Sequence, residues 1–90
     1  MADLQSHRLI MVEVTLYTKP GCHLCEDVKE MLVGLTAVLP HHLTEIDITN
    51  DRDLFNRYHL TIPVVHIGQT ELQAPITAVQ LKAALLEAAG

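Results

Sequence analysis

The sequence predicts an α/β domain built on one four-stranded mixed sheet with helices on both faces, in the order β-α-β-α-β-β-α. Three observations lead there. Short β-branched runs alternate with segments of helical period. Proline and glycine, four of each, stand at the element ends. Ninety residues leave room for a single domain, here residues 1–90.

The elements follow in order. Leu9 to Tyr17 is aliphatic and β-branched, and Val12, Val14 and Leu16 alternate with Glu13 and Thr15, which reads as a strand. Thr18-Lys19-Pro20-Gly21 ends it in a turn. From Cys22 to about Leu39, Leu24, Val28, Met31, Leu32 and Leu35 recur at helical spacing, with Glu26 and Asp27 in the first turn, where the helix dipole favours acids. Pro40 stops it, and His41-His42 reads as a solvated turn.

His42 to Ile48 is the second strand. Asn50 is the expected N-cap of a short helix whose Phe55 and Tyr58 read as core residues. Thr61-Ile62-Pro63 leads into Val64-Val65-His66-Ile67, the third strand, and Gly68-Gln69 turns it into a fourth, Thr70 to Ala74. Thr77 and Gln80 form a capping box for a last helix carrying Val79, Leu81, Leu85 and Leu86. The first β-α-β joins parallel strands, and the closing β-β is a hairpin.

Composition narrows the function. Hydrophobic residues are 49% and charged residues 19%, enough for one core, and aromatics are only 3%, so aliphatic side chains do the packing. A net charge of −5 argues against nucleic acid as a partner. No apolar run approaches the ~20 residues of a membrane span. Asp3, Gln5, Ser6 and His7 occupy the stretch where a signal peptide needs apolar residues. The expectation is a cytoplasmic monomer with no membrane partner, its residues 1–8 forming a flexible arm.

Two cysteines in such a compartment do not read as a permanent staple. They stand as Cys22-His23-Leu24-Cys25, at the junction of the first strand and first helix, where open α/β sheets favour ligands and anions. The nucleophile of disulfide exchange is a thiolate, and a helix N-terminus stabilises it. Cys22 is expected to be exposed and acidified, with Lys19 and His23 nearby as sources of positive charge. Cys25 lies a turn deeper and stays protonated until needed. Attack by Cys22 and resolution by Cys25 then reduce a disulfide. Pro63 marks where the third strand begins, and a cis Ile62–Pro63 bond would turn the Ile62 backbone towards the cysteines. A zinc site needs two further donors, and His59 and His66 are too widely spaced to supply them.

Val14-Thr15-Leu16-Tyr17-Thr18-Lys19-Pro20-Gly21-Cys22-x-x-Cys25, followed by Thr61-Ile62-Pro63-Val64, resembles the glutaredoxin branch of the thioredoxin superfamily, and in particular its small bacterial glutaredoxin-like proteins. The resemblance spans nearly the whole chain. It implies a thioredoxin-like fold and a thiol–disulfide oxidoreductase, with Cys22 as nucleophile, Cys25 as resolving thiol and Pro63 as the cis-proline. Lys19 matches the basic residue that contacts glutathione, and Ile62 matches the position whose backbone pairs with the glutathione cysteine. No resident cofactor is implied; the partners are a disulfide-bearing protein or a low-molecular-weight thiol, with glutathione as a candidate reductant.

Two departures stand out. His23-Leu24 replaces the usual Pro-Tyr, and Gly68-Gln69 is read as replacing the Gly-Gly pair that holds the γ-glutamyl end of glutathione. The second departure predicts poor glutathione binding. The alternative function is a non-catalytic module that uses the same cysteines for redox sensing or for metal or Fe–S binding.

Overall fold

The computed structural model describes residues 11–90. The predicted arm over residues 1–8, and Leu9 and Ile10 of the predicted first strand, lie outside them. The observed order is β1 (Val12–Thr18), α1 (His23–Leu35), β2 (His41–Asp47), a 3-10 turn (Ile48–Asn50), α2 (Arg52–Tyr58), β3 (Val64–Ile67), β4 (Thr70–Gln73) and α3 (Ala78–Ala89). No helix among the described residues is long and apolar enough to cross a membrane.

The sheet runs β2-β1-β3-β4. β1 pairs with β2 in parallel, whereas β1–β3 and β3–β4 are antiparallel. Alternation along the strands splits the apolar residues between two faces. Val14, Leu16, Val65 and Ile67 pack with Val28 and Leu32 of α1 and with Leu81, Ala84 and Leu85 of α3. On the other face Val64 and Tyr17 meet Ile48 and, from α2, Leu54 and Tyr58. Each fully buried leucine contributes about 1.5–3 kcal/mol of hydrophobic stabilisation.

The register also gives the sheet two distinct ends. Thr18 lies opposite Asp47, and Tyr17 lies opposite Val64, which in turn faces Gln73. One end therefore gathers the exit of β1, the exit of β2, the entry to β3 and the exit of β4. The Gly68-Gln69 hairpin lies at the opposite end, beyond the Val14–Ile67 pair. There Gly68 takes φ +58°, and a Cβ on it would stand 3.3 Å from that of Ala88. Gln69 is thus remote from the cysteines, and the expectation that it replaces a glutathione-contacting glycine is overturned. Gln73-Ala74-Pro75 is the segment that leaves β4 at the cysteine end.

Other expectations shift locally. α1 ends at Leu35 rather than Leu39, because Thr36 and Val38 donate to carbonyls three residues back, and the last turn tightens. Its inward stripe is Cys25, Val28 and Leu32, so Leu24 is turned outwards at 60% exposure. Asp51, not Asn50, caps α2, accepting the Leu54 N–H at 3.1 Å, because Asn50 belongs to the 3-10 turn. A seven-residue helix buries one narrow face. Tyr58 is inside, but Phe55 points outwards and stacks on His59 with ring centroids 4.8 Å apart. His41 is not in a solvated turn: it opens β2, is only 5% exposed, and its Nδ1 lies 2.7 Å from the Leu39 carbonyl oxygen. In α3, Val79 and Leu86 face solvent, while the predicted Thr77–Gln80 capping box is present in both directions.

Candidate active site

The loop between β1 and α1 delivers the cysteines. Lys19-Pro20-Gly21-Cys22 is a β-turn closed by the Cys22 N–H on the Lys19 carbonyl at 3.3 Å. Gly21 takes φ +79°, and proline precedes it, the signature of a type II turn. Only glycine adopts that conformation freely. The turn leaves Cys22 extended (φ −89°, ψ 103°) as the N-cap of α1, a position normally held by an oxygen-bearing side chain. Its sulfur takes that role and accepts the Cys25 N–H at 3.2 Å.

Cys22 and Cys25 are joined as a disulfide, with Cα atoms 5.2 Å apart. Cys22 is half-buried, whereas Cys25 is 1% exposed. This asymmetry leaves one sulfur approachable and the other inside. Lys19 is exposed in the turn, and His23 is exposed as the first residue of α1.

Ile62 and Pro63 stand just ahead of β3, the strand beside β1, at the same end of the sheet, and the bond between them is cis. Pro63 is buried and Ile62 half-buried. The loop is tied on both sides. The N–H groups of Thr61 and Ile62 donate to the Tyr58 carbonyl at 2.9 and 3.0 Å. The Ala74 N–H is shared between the carbonyls of Pro63 (3.1 Å) and Thr61 (3.4 Å). The Ile62 N–H is therefore bound within the chain.

Tyr58 is also held through its ring. It lies 4.6 Å from Tyr17 between centroids, its hydroxyl is 3.4 Å from His66 Nε2, and the Arg57 guanidinium sits 5.8 Å over it. His66 Nε2 lies 2.8 Å from Glu71 Oε1, and the Gln73 amide donates to Glu71 Oε2 at 3.0 Å. The Gln73 bond, then the His66 bond, hold the Glu71 carboxyl below the usual range, and burial pushes the Tyr17 phenol up. Sequence reading missed this cluster. A two-residue turn at Gly68-Gln69 already sets His66 opposite Glu71, but nothing in the sequence marks the Ala74 bond.

Among the described residues no group of three or more His, Cys, Asp or Glu side chains is arranged to hold a metal ion.

The sequence pattern of the Glutaredoxin-like domain (DUF836) matches residues 13–88. Among solved structures, the chain is similar to Northeast Structural Genomics target protein XcR50 from X. campestris, at 33% identity and a TM-score of 0.70 over 86% of this chain and 99% of that one. Protein Ne2328 from Nitrosomonas europaea is similar at 24% identity and a TM-score of 0.71, over 83% of this chain and 92% of that one. Thioredoxin O2 from Arabidopsis thaliana, in its oxidized state, shares the fold at 16% identity and a TM-score of 0.67, over 96% of this chain and 86% of that one. The comparison with curated proteins returned no match.

Proposed function

Because the chain belongs to the Glutaredoxin-like domain family and has a thioredoxin-like fold, we propose that it is a thiol–disulfide oxidoreductase working by dithiol exchange. One observation carries the reading: a half-buried Cys22 caps α1 and is disulfide-bonded to a buried Cys25. In the reduced protein Cys22 is the nucleophile. Its thiolate attacks one sulfur of a substrate disulfide, forming a mixed disulfide and expelling the first substrate thiolate. Cys25 then loses its proton and attacks the Cys22 sulfur. The Cys22–Cys25 bond closes, the second substrate thiolate leaves, and two electrons have passed to the substrate. An external thiol reductant returns them in the next half-cycle.

The remaining residues serve binding. Ile62 and Pro63 form the wall at the entry to the neighbouring strand, while Lys19 and His23 flank the nucleophile and meet polar parts of the substrate. The test is trapping. Cys22→Ser should abolish reduction of a disulfide substrate, and Cys25→Ser should accumulate a mixed disulfide on Cys22, read by mass spectrometry. Full activity in Cys22→Ser, or an adduct on Cys25 in that variant, would overturn the assignment.

A further inference from the structure

β4 is an outer strand of the sheet, paired with β3 on one side only. Along a strand, the N–H and C=O of successive residues point alternately to the two sides. The Ala74 N–H is given to the Pro63 carbonyl at 3.1 Å, towards β3. Counting back from it, Leu72 and Thr70 also face β3, and the main-chain groups of Gln73 and Glu71 point outwards. The free edge thus offers two N–H and two C=O groups. Among the described residues, no loop or side-chain hydrogen bond takes them. A bare row of this kind is a template for another strand, and β4 holds neither the lysine nor the proline that commonly guards one.

The row is complementary to itself. Turned about a two-fold axis at Leu72, a second β4 runs antiparallel to the first. Glu71 then stands opposite Gln73 of the second copy, and Gln73 opposite its Glu71. Each such pair exchanges two N–H···O=C bonds, so every free group of both edges is used.

The side chains agree with this register. Within one chain the Glu71 carboxylate takes the Gln73 amide at 3.0 Å and lies 2.8 Å from His66 Nε2. Across the axis each carboxylate meets an amide again, and an amide has a second N–H to give. On the opposite face Leu72 meets Leu72 of the second copy in a pair without main-chain bonds, the closest kind of cross-strand contact. Leu72 is half-buried, and a groove of about 310 Å³ beside it, between β4 and α3, leaves room for that second leucine. Its other walls are Thr70, Gln80, Ala83, Ala84 and Glu87. The neighbouring registers are worse. One sets Glu71 against Glu71, and the other sets it against Pro75, which has no N–H.

We propose that β4 is a self-association edge, through which two copies of this chain join their four-stranded sheets into one of eight strands centred on Leu72. This departs from the monomer expected of the sequence, and it does not rest on the exchange reading. The two strands run antiparallel, so the two Cys22 turns lie at opposite ends of the joint sheet and both stay open. A contact built on two four-residue strands is small, and the dimer is transient, with a dissociation constant on the order of 10–100 µM.

Sedimentation velocity of the full chain from about 5 to about 500 µM, with reductant present to exclude disulfide-linked pairs, measures it. The parent should pass from monomer to dimer across that range. Gln73→Glu sets a carboxylate against Glu71 of the second copy at both pairs and should weaken association at least about tenfold. The double variant Glu71→Gln/Gln73→Glu exchanges the two roles, restores carboxylate against amide, and should return to within about threefold of the parent. Both positions are exposed, and thermal melts check that the variants fold. A parent that stays monomeric throughout, an association indifferent to Gln73→Glu, or a double variant no better than Gln73→Glu would overturn the proposal.

Discussion

The backbone N–H of Cys25 points at the sulfur of Cys22 from 3.2 Å, so the first cysteine caps the helix that contains the second. A sulfur anion in that position gains both from this N–H and from the positive end of the helix dipole. Glu26, in the same turn, works against it.

The expected outcome is a Cys22 thiol in the reduced protein with an apparent pKa below the ~8.5 of a free cysteine. Iodoacetamide labelling across pH, resolved by peptide mass, measures it. Faster labelling of Cys25, or a Cys22 value at or above that of a free thiol, would contradict the capping argument.

Gly21 tests the turn that places Cys22. Its φ of +79° is costly for any side chain, yet a Cβ there would meet nothing within 4 Å. The cost of Gly21→Ala is therefore conformational, about 1–2 kcal/mol, which lowers Tm by roughly 4–16 °C in a domain of this size. An unchanged melt would mean that the turn relaxes without penalty.

Much of this was legible beforehand because it rests on local patterns. Alternation at Val14 and Leu16, the Pro-Gly turn, and the Thr77–Gln80 box each determine structure within a few residues. The placement of the cysteines followed from the strand-to-helix junction alone. Non-local facts were not readable in the same way. Matching Gly68-Gln69 to the family's Gly-Gly pair sets Gln69 in a glutathione site, but antiparallel pairing carries the chain away from the cysteine end before the hairpin turns. Likewise, Leu24 fits the helical period of α1, yet Cys25 takes the inward position in the first turn. Burial of Cys25 and exposure of Leu24 are two consequences of one helix rotation.

Glu71 gives a pH dependence with a defined sign. Its folded carboxyl is held below the ordinary range by Gln73 and His66, so its contribution is complete above that range and is lost as pH falls through the folded value. Glu71→Gln should therefore be less stable than the parent near pH 7, by no more than about 1 kcal/mol for so exposed a pair. The difference should shrink below about pH 4 as the parent's carboxylate is protonated. Urea denaturation at several pH values follows this, and a gap that widens with acid would reverse the assigned sign.

Gln69 supplies the opposite kind of test, a change that should do nothing to exchange. The register places Ile67 opposite Val14 and Val64 opposite Tyr17, so three residue steps along β3 separate the two ends of the sheet. At about 3.3 Å per residue, the hairpin stands roughly 10 Å or more beyond the level of Val64. Gly68, not Gln69, is the residue with positive φ, so the turn keeps its essential glycine in Gln69→Gly. The variant loses some chain stiffness in the turn, at a stability cost of about 1 kcal/mol. Its rate of disulfide reduction, measured with the same reductant as the parent, should stay within about twofold, since no bond to the Cys22 turn or to the Thr61–Pro63 loop involves the hairpin. A several-fold rise with glutathione as reductant would show that the hairpin reaches the substrate after all, and that the end of the sheet beside Cys22 does not bound the site.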